Sequence, residues 1–329
     1  MLKFTIRRIF YSIIILFFVM FLVYCLEYNM PGSYLEMKAQ QLATRPGATK
    51  SAGEWLQDLK SLYGMDQGVV KGYFTWLGSA VRGEWGDSWA WTVPVTQEFN
   101  DTVWYSFGFN CVTLLVEIFI AIPLGILAAK KQYGFMDYFT SVFAMVSISL
   151  PTFFLATVLK YVFSVKLGWF DLSGMQGRNY DALSRFGQIL DVAKHFVLPA
   201  VTLSILSIGG LMRYTRTNML EVLNSDFIRT ARAKGVPEKK VIKKHAFRNT
   251  LIPLVTILGG TLPGMFSGAM ITETMFAIRG IGNAAYQSMI QADVPFTMFY
   301  LAFLSILTLL GNLISDLLYG AVDPRVRLE

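Results

Sequence analysis

Charge is scarce in this sequence: Asp, Glu, Lys and Arg make up 16% of its 329 residues, against 54% hydrophobic residues. Cysteine and histidine are scarcer still. Cys25 and Cys111 stand at no redox or metal spacing, so they say little about compartment and read as small buried hydrophobes. His195 and His245 are at no metal spacing either, and neither an HExxH nor a serine-elbow motif occurs, so no hydrolase signature is present. No G-x-x-x-x-G-K-[ST] is found, which excludes a phosphate loop on this chain. No inverted repeat or low-complexity tract is evident.

What the sequence has instead is long apolar runs. Residues 9–26 contain no charged side chain, and at 1.5 Å per residue such a stretch nearly crosses the ~30 Å hydrocarbon layer. Similar runs cover 103–129 (interrupted by Glu117), 139–165 (by Lys160), 196–212, 250–272 and 296–320 (by Asp316). The expectation is an all-α integral membrane protein with about six transmembrane helices. Lys3, Arg7 and Arg8 precede the first run as in a signal peptide, but the run is long and no small-residue cleavage site follows, so the helix is expected to be retained.

Threading the runs places Lys130, Lys131, the cations from Arg213 to Arg248, and Arg325 and Arg327 on the same side as the N-terminus. The short loops opposite hold only Lys166, Arg178, Arg185, Lys194 and Arg279, so the positive-inside rule puts both termini in the cytoplasm. The net charge of +7 follows this sidedness, not a nucleic-acid surface. The expected divisions are an N-terminal tip and first helix (1–30), an external segment (31–101), a transmembrane core (102–323) with a cytoplasmic loop (213–250), and a cytoplasmic tail (324–329).

In the external segment, 32–53 reads mostly as loop and 54–63 as a short helix. From Gly68 onward Val69, Val70, Tyr73, Phe74, Leu77, Ala80 and Val81 recur at helical spacing, and this face is expected to pack on the protein's own helices or lie among Trp76, Trp85, Trp89 and Trp91 at the membrane interface. A functional alternative is contact with a partner that delivers substrate.

Polar residues inside the runs share faces. Ser106, Asn110, Thr113 and Glu117 do so in the second run, Thr256, Gly260, Pro263 and Ser267 in the fifth, and Ser305, Thr308, Asn312 and Ser315 in the sixth. Gly260, Gly264 and Gly268 form two overlapping GxxxG steps. Lipid satisfies none of these groups, so the faces turn toward other helices or line a watery path. The path candidates are Asn110, Thr113, Glu117, Thr256, Ser267, Ser305, Thr308 and Asn312; a mid-helix carboxylate such as Glu117 is costly unless paired or hydrated.

The loop between the fourth and fifth runs has its own pattern. Leu220, Leu223, Phe227 and Ala231 lie at helical spacing opposite Arg229 and Arg232. Lys234 falls in a last turn, Gly235 suits a left-handed C′ position, and Pro237 with Glu238 starts a second helix with Val241, Ile242, His245 and Ala246 inward. Such a helix–turn–helix knob suits insertion into a partner's groove; a basic loop that serves only topology and anionic lipid is the bland alternative.

The segment DFIRTARAKGVPEKKVIKKHAFRNTLIP (226–253) resembles the coupling loop of the oligopeptide and dipeptide permease family of ATP-binding-cassette importers. The resemblance runs in order along nearly the whole chain: MLKFTIRRI at the start, PGS at Pro31, YGMDQ at Tyr63, WLGSAVRGEWGDS at Trp76, AIPLGILAAKK at Ala121, SLPTFFLA at Ser149, LGWF at Leu167, HFVLPAVTLS at His195, ITETMFAIRGIGN at Ile271 and NLISDLLYGAVDPRVRL at Asn312. Two departures stand out. Arg229, Thr230 and Ala231 replace the general Glu-Ala-Ala, a variant of the peptide branch, and Arg279 replaces a usual Pro.

The resemblance implies a type I importer fold and an ATP-driven peptide importer, the chain being its membrane permease, without catalytic residues, metal or cofactor of its own. Asp226, Phe227, Arg229, Thr230, Ala231, Arg232, Ala233, Lys234, Gly235, Val236 and Pro237 would be the coupling residues. The implied partners are a second homologous permease, two cytoplasmic ATP-binding subunits that hold ATP and Mg, an external peptide-binding protein, the peptide and membrane lipid, in a bacterial or archaeal plasma membrane. Family ligands other than peptides are glutathione and nickel complexes. An ion-coupled secondary transporter would instead show internal symmetry and paired intramembrane charges, and only Glu117, Lys160 and Asp316 are on offer.

Overall fold

The structure is a computed structural model that describes residues 2–29, 34–44, 50–62 and 66–322. The PGS segment, the first residues of YGMDQ, the Thr256 and Asp316 side chains and the tail with Arg325 and Arg327 lie outside the described residues. The described chain is helical: α1 (Leu2–Tyr28), α2 (Tyr34–Ala43), α3 (Ala52–Leu62), α4 (Val69–Val81), α5 (Val95–Lys130), α6 (Phe135–Ser149), α7 (Thr152–Leu159), α8 (Arg185–Leu223), α9 (Asp226–Ala233), α10 (Glu238–Lys240), α11 (Phe247–Gly260), α12 (Leu262–Ser267), α13 (Met270–Phe276), α14 (Ile281–Ile290) and α15 (Val294–Val322). It divides into two compact units, Met1–Val103 with Ala284–Leu310, and Trp104–Asn283 with Gly311–Leu328.

Among the described residues, four helices are long and apolar enough to cross a membrane: α1, α5, α8 and α15. A fifth crossing arises if α6 and the segment Thr152–Lys166, in which a π-helical stretch continues α7, count as one span bent by 104°. The run 139–165, expected as one helix, breaks at Leu150 and Pro151, because proline donates no hydrogen bond and disfavours helical geometry in the residue before it. The run 250–272, expected as the fifth span, is built of three pieces. The 14 residues of α11 reach about 21 Å, Pro263 interrupts the hydrogen-bond ladder, and Gly268 at φ 74° ends α12. Gly260, Gly264 and Gly268 therefore do not form one helix-packing stripe, and Gly260 lies on a different helix from Pro263 and Ser267.

In the first unit, α1 leaves Phe10, Ile13, Phe18, Leu22 and Leu26 exposed, the pattern of a lipid-facing surface. Its other side packs on α4: Tyr73 is fully buried, its hydroxyl donates to the Phe17 carbonyl at 2.8 Å, and its ring meets Phe17, Phe21 and Tyr24 at centroid distances of 5.1 to 5.7 Å. Helix α4 thus packs on the protein's own first helix, although Val70, Phe74 and Val81, expected on the same face, are exposed. The loop expected over 32–53 contains α2 instead. Leu35 and Ala39, one turn apart, are each 1% exposed, and the intervening Glu36, Met37 and Lys38 are good helix formers, so a short buried stripe suffices. Asp293 anchors this unit. Fully buried, it accepts from the Ser88 hydroxyl, the Trp89 and Ala90 N–H groups at 3.2 Å, and Phe296 N–H at 3.3 Å, which caps the start of α15.

In the second unit, α6 and α8 pack closely where Gly209 meets Ser147 and Ala144; a Cβ at 209 would lie 2.8 Å from the Ser147 Cβ. Arg216 on α8 grips the buried Asp137 of α6 with both nitrogens, Nη2 to Oδ2 at 2.9 Å, while Tyr133 N–H donates to the same carboxylate at 2.9 Å. Such a bidentate pair fixes orientation as well as separation.

Candidate functional site

The expected coupling segment lies between α8 and α11. Helix α8 runs to Leu223, where Asn224 and Ser225 interrupt it before α9 begins. Leu220 and Leu223 thus belong to the end of α8, and the register expected to run on to Phe227 is reset. Ile228 and Ala231 are the buried residues of α9, whereas Phe227 is 48% exposed. The turn after α9 is a Schellman motif: Val236 N–H bonds the Ala231 carbonyl at 3.2 Å, Gly235 N–H bonds the Arg232 carbonyl at 2.9 Å, and Gly235 sits at φ 72°. Val236 packs back toward Ala231, and Pro237 opens α10.

One apolar cluster roots this turn. Ile228 and Ala231 of α9, with Val241, Ile242 and Ala246 after α10, pack together with Met219 near the end of α8 and Ala129 near the end of α5. Asp226, Phe227, Arg229, Thr230, Arg232, Ala233, Lys234, Gly235 and Pro237 are exposed, with Val236 between. The segment therefore has a buried root shared with two long helices and a basic, solvated crown. His245, expected inward, is only half-buried.

Across the crown Arg232 donates to Glu238 from Nε at 3.1 Å and from Nη2 at 2.8 Å. This hydrogen bond, helped by the charges of Arg232 and Lys130, holds the Glu238 carboxyl below the usual carboxylate range despite its partial desolvation. A carboxyl depressed by folding adds stability above its unfolded pKa, and that increment is lost as pH falls through the folded value. Both side chains are more than 40% exposed, so screening limits the pair to about 0.2–1 kcal/mol. Glu238→Gln is expected to lower the melting temperature slightly at pH 7, and the difference from wild type should vanish in acid below the carboxylate range. A deficit undiminished in acid would contradict this assignment.

The polar face of α5 divides between two environments. Asn110, Thr113 and Glu117 line an open cleft of about 540 Å³, with Thr152 at the start of α7, Ser207 of α8, and Gly260, Thr261, Gly264 and Met265. Asn110 Nδ2 donates to the Met265 carbonyl at 3.1 Å, Thr113 donates to the Phe109 carbonyl at 3.1 Å, and the Ser207 hydroxyl donates to the Ser204 carbonyl at 3.4 Å. Of the other expected path residues, Ser267 does not line this cleft and turns its hydroxyl to the Gly264 carbonyl at 3.0 Å. Ser305 and Thr308 belong to the first unit, where Thr308 donates to Leu304 at 2.8 Å; Asn312 is exposed and does not line the cleft.

Ser106, one turn before Asn110, joins a different construction that sequence reasoning passed over. Glu273 of α13 is fully buried and accepts from the Ser106 hydroxyl at 2.7 Å, Ala269 N–H at 2.9 Å and Asn283 N–H at 2.8 Å. Ser106 in turn accepts from Ile281 N–H at 2.8 Å. The backbone wraps so closely that a Cβ at Gly280 would lie 2.5 Å from the Glu273 carboxyl. The available signal was a lone carboxylate at the edge of an apolar run, followed within ten residues by Gly280 and Gly282. Beyond it, Lys160 donates to the Met275 carbonyl at 2.6 Å at the C-terminal end of α13. Arg279, in place of the usual Pro, uses its N–H toward the Met175 sulfur at 3.2 Å, a contact proline lacks the hydrogen to make.

Among the described residues no group of three or more His, Cys, Asp or Glu is placed to hold a metal. Residues 121–328 match the profile of the family described as binding-protein-dependent transport system inner membrane component, and residues 1–92 match the profile of its N-terminal region. The oligopeptide transport system permease protein AppB of Bacillus subtilis is 37% identical over 265 residues, covering 80% of this chain and 82% of its own length. The oligopeptide transport system permease protein OppB of Haemophilus influenzae is 30% identical, with 99% of this chain and all of its own length covered. The di/tripeptide transport system permease protein DppB of Pseudomonas aeruginosa is 30% identical over 99% of both chains.

Proposed function

Since the chain belongs to the binding-protein-dependent transport system inner membrane component family, we propose that it forms one half of a translocation path for peptides, driven by subunits it does not itself contain. It is the membrane permease component of an ABC transporter and has no ATPase site of its own. The complete assembly would hold a second, homologous permease, two ATP-binding subunits on the cytoplasmic side and an external protein that delivers the peptide. Both termini would face the cytoplasm of a bacterial or archaeal cell, in keeping with the distribution of cations.

The observation that carries this reading is the rooted knob of residues 226–237. Its exposed crown suits a groove on an ATP-binding subunit, and its root packs against the ends of α5 and α8. Displacing the crown would shift α9 with those ends, and α5 carries Glu117 about 18 Å along the helix from Ala129. Work is done only if nucleotide binds one arrangement of the complex better than the other. Vesicles containing the assembled complex should accumulate peptide only when ATP is supplied on the cytoplasmic side, and ionophores should not abolish uptake. Uptake that persists without ATP and collapses with an ionophore would replace this reading with ion coupling.

A further inference from the structure

The cleft beside Glu117 has a one-sided chemistry. Glu117 is the only charged side chain among its described lining residues. Several polar groups around it are engaged with backbone carbonyls: Thr113 donates to that of Phe109, Asn110 donates one amide hydrogen to that of Met265, and Ser207 donates to that of Ser204 at 3.4 Å. The one formal charge offered to an occupant is thus the carboxylate, with the Asn110, Thr113 and Ser207 oxygens as acceptors beside it. An ammonium group is the complement of such a surface, since it offers three donors, no acceptor and a positive charge. A free peptide carries that group at its amino terminus whatever its sequence, while its carboxylate end would be repelled here.

We infer that the cleft receives the protonated α-amino group of the peptide, with Glu117 as its counter-ion and the Asn110 and Thr113 oxygens as further acceptors. The inference rests on the reading of this cleft as part of the translocation path. Leu114, Leu203, Leu206 and Met265 supply an apolar remainder without side-chain hydrogen-bond donors, the last of them a flexible, polarisable one, so the site selects the terminus and tolerates different side chains. A carboxylate half-buried at membrane depth is thereby paired while peptide passes and hydrated when it does not.

The test uses thiol labelling of the assembled complex in membrane vesicles, with Cys25→Ser and Cys111→Ser as background and Ser207→Cys as the reporter. A cationic methanethiosulfonate is expected to react roughly tenfold faster than an anionic one, the size of a single charge–charge interaction in a partly wet cleft. Glu117→Gln should erase that preference and Glu117→Asp should keep most of it. Alanine amide, a small cationic stand-in for a peptide amino terminus, should slow labelling where neutral N-acetylalanine amide does not, and Glu117→Gln should remove this protection. Labelling without charge preference, or equal protection by both amides, overturns the inference and leaves the path reading intact. No labelling in any nucleotide state, with co-purification showing intact assembly, means the cleft is closed to water, and then the path reading fails and the inference with it.

Discussion

Replacing Gly235 with aspartate is expected to abolish most ATP-driven uptake while the chain still inserts and keeps its helices. Gly235 sits at φ 72°, and a Cβ there would meet nothing within 4 Å, so the variant has no internal clash to relieve. The left-handed backbone costs an ordinary residue about 1–2 kcal/mol, less for aspartate than for alanine. What aspartate adds is bulk and negative charge at the apex of a crown that carries Arg229, Lys234 and Lys239. If that crown occupies a groove on an ATP-binding subunit, coupling between nucleotide and membrane helices should fall by about 5–150-fold, the usual range of a coupling free energy. Gly235→Ala separates the causes, since it bears the larger backbone strain without the charge. Uptake near wild type in the alanine variant and lost in the aspartate variant locates the effect at the contact; wild-type uptake in Gly235→Asp contradicts a coupling role.

Glu273→Ala should be the most destabilising single change outside that knob. It would strand the N–H groups of Ala269 and Asn283 and the Ser106 hydroxyl around a fully buried position, at about 1–3 kcal/mol for each buried group left unmade. Partial collapse would recover some of this, so a loss of about 3–5 kcal/mol is expected, a large share of the about 5–15 kcal/mol by which a folded domain is stable. Glu273→Gln keeps the volume and one acceptor oxygen and should fall between. Ser106→Ala should cost less, because only Ile281 N–H and one carboxylate oxygen lose a partner. Thermal melts of the detergent-solubilised protein read the series directly. A Glu273→Ala variant that melts with wild type would show that the carboxylate does not hold this turn.

These two residues also mark how far the sequence could be read. Gly235 was legible because its reasons are local: a left-handed residue after a helix, a proline two positions on, and an apolar residue to fold back. Glu273 was not, because its partners come from α5 and α14, and nothing within the run 250–272 announces that the chain doubles back around it. The same distinction accounts for Phe227. Helical spacing from Leu220 predicted it inward, but the break at Asn224 and Ser225 restarts the register, and periodicity carries no information across a break. Glu117 could be singled out from the cost of an intramembrane carboxylate, yet the cleft that gives it meaning needed Thr152 and Ser207 from other helices. In α2 the apolar stripe is only Leu35 and Ala39, too short to stand out from a polar, Gly- and Ser-rich stretch.

The most direct test of the central claim is purification of the tagged chain in mild detergent, followed by identification of what comes with it. The account predicts a second permease-type chain and two ATP-binding chains, with peptide-dependent ATP hydrolysis by the assembly that is lost when Gly235→Asp is introduced. A chain that purifies alone and still moves peptide across a reconstituted membrane would contradict it.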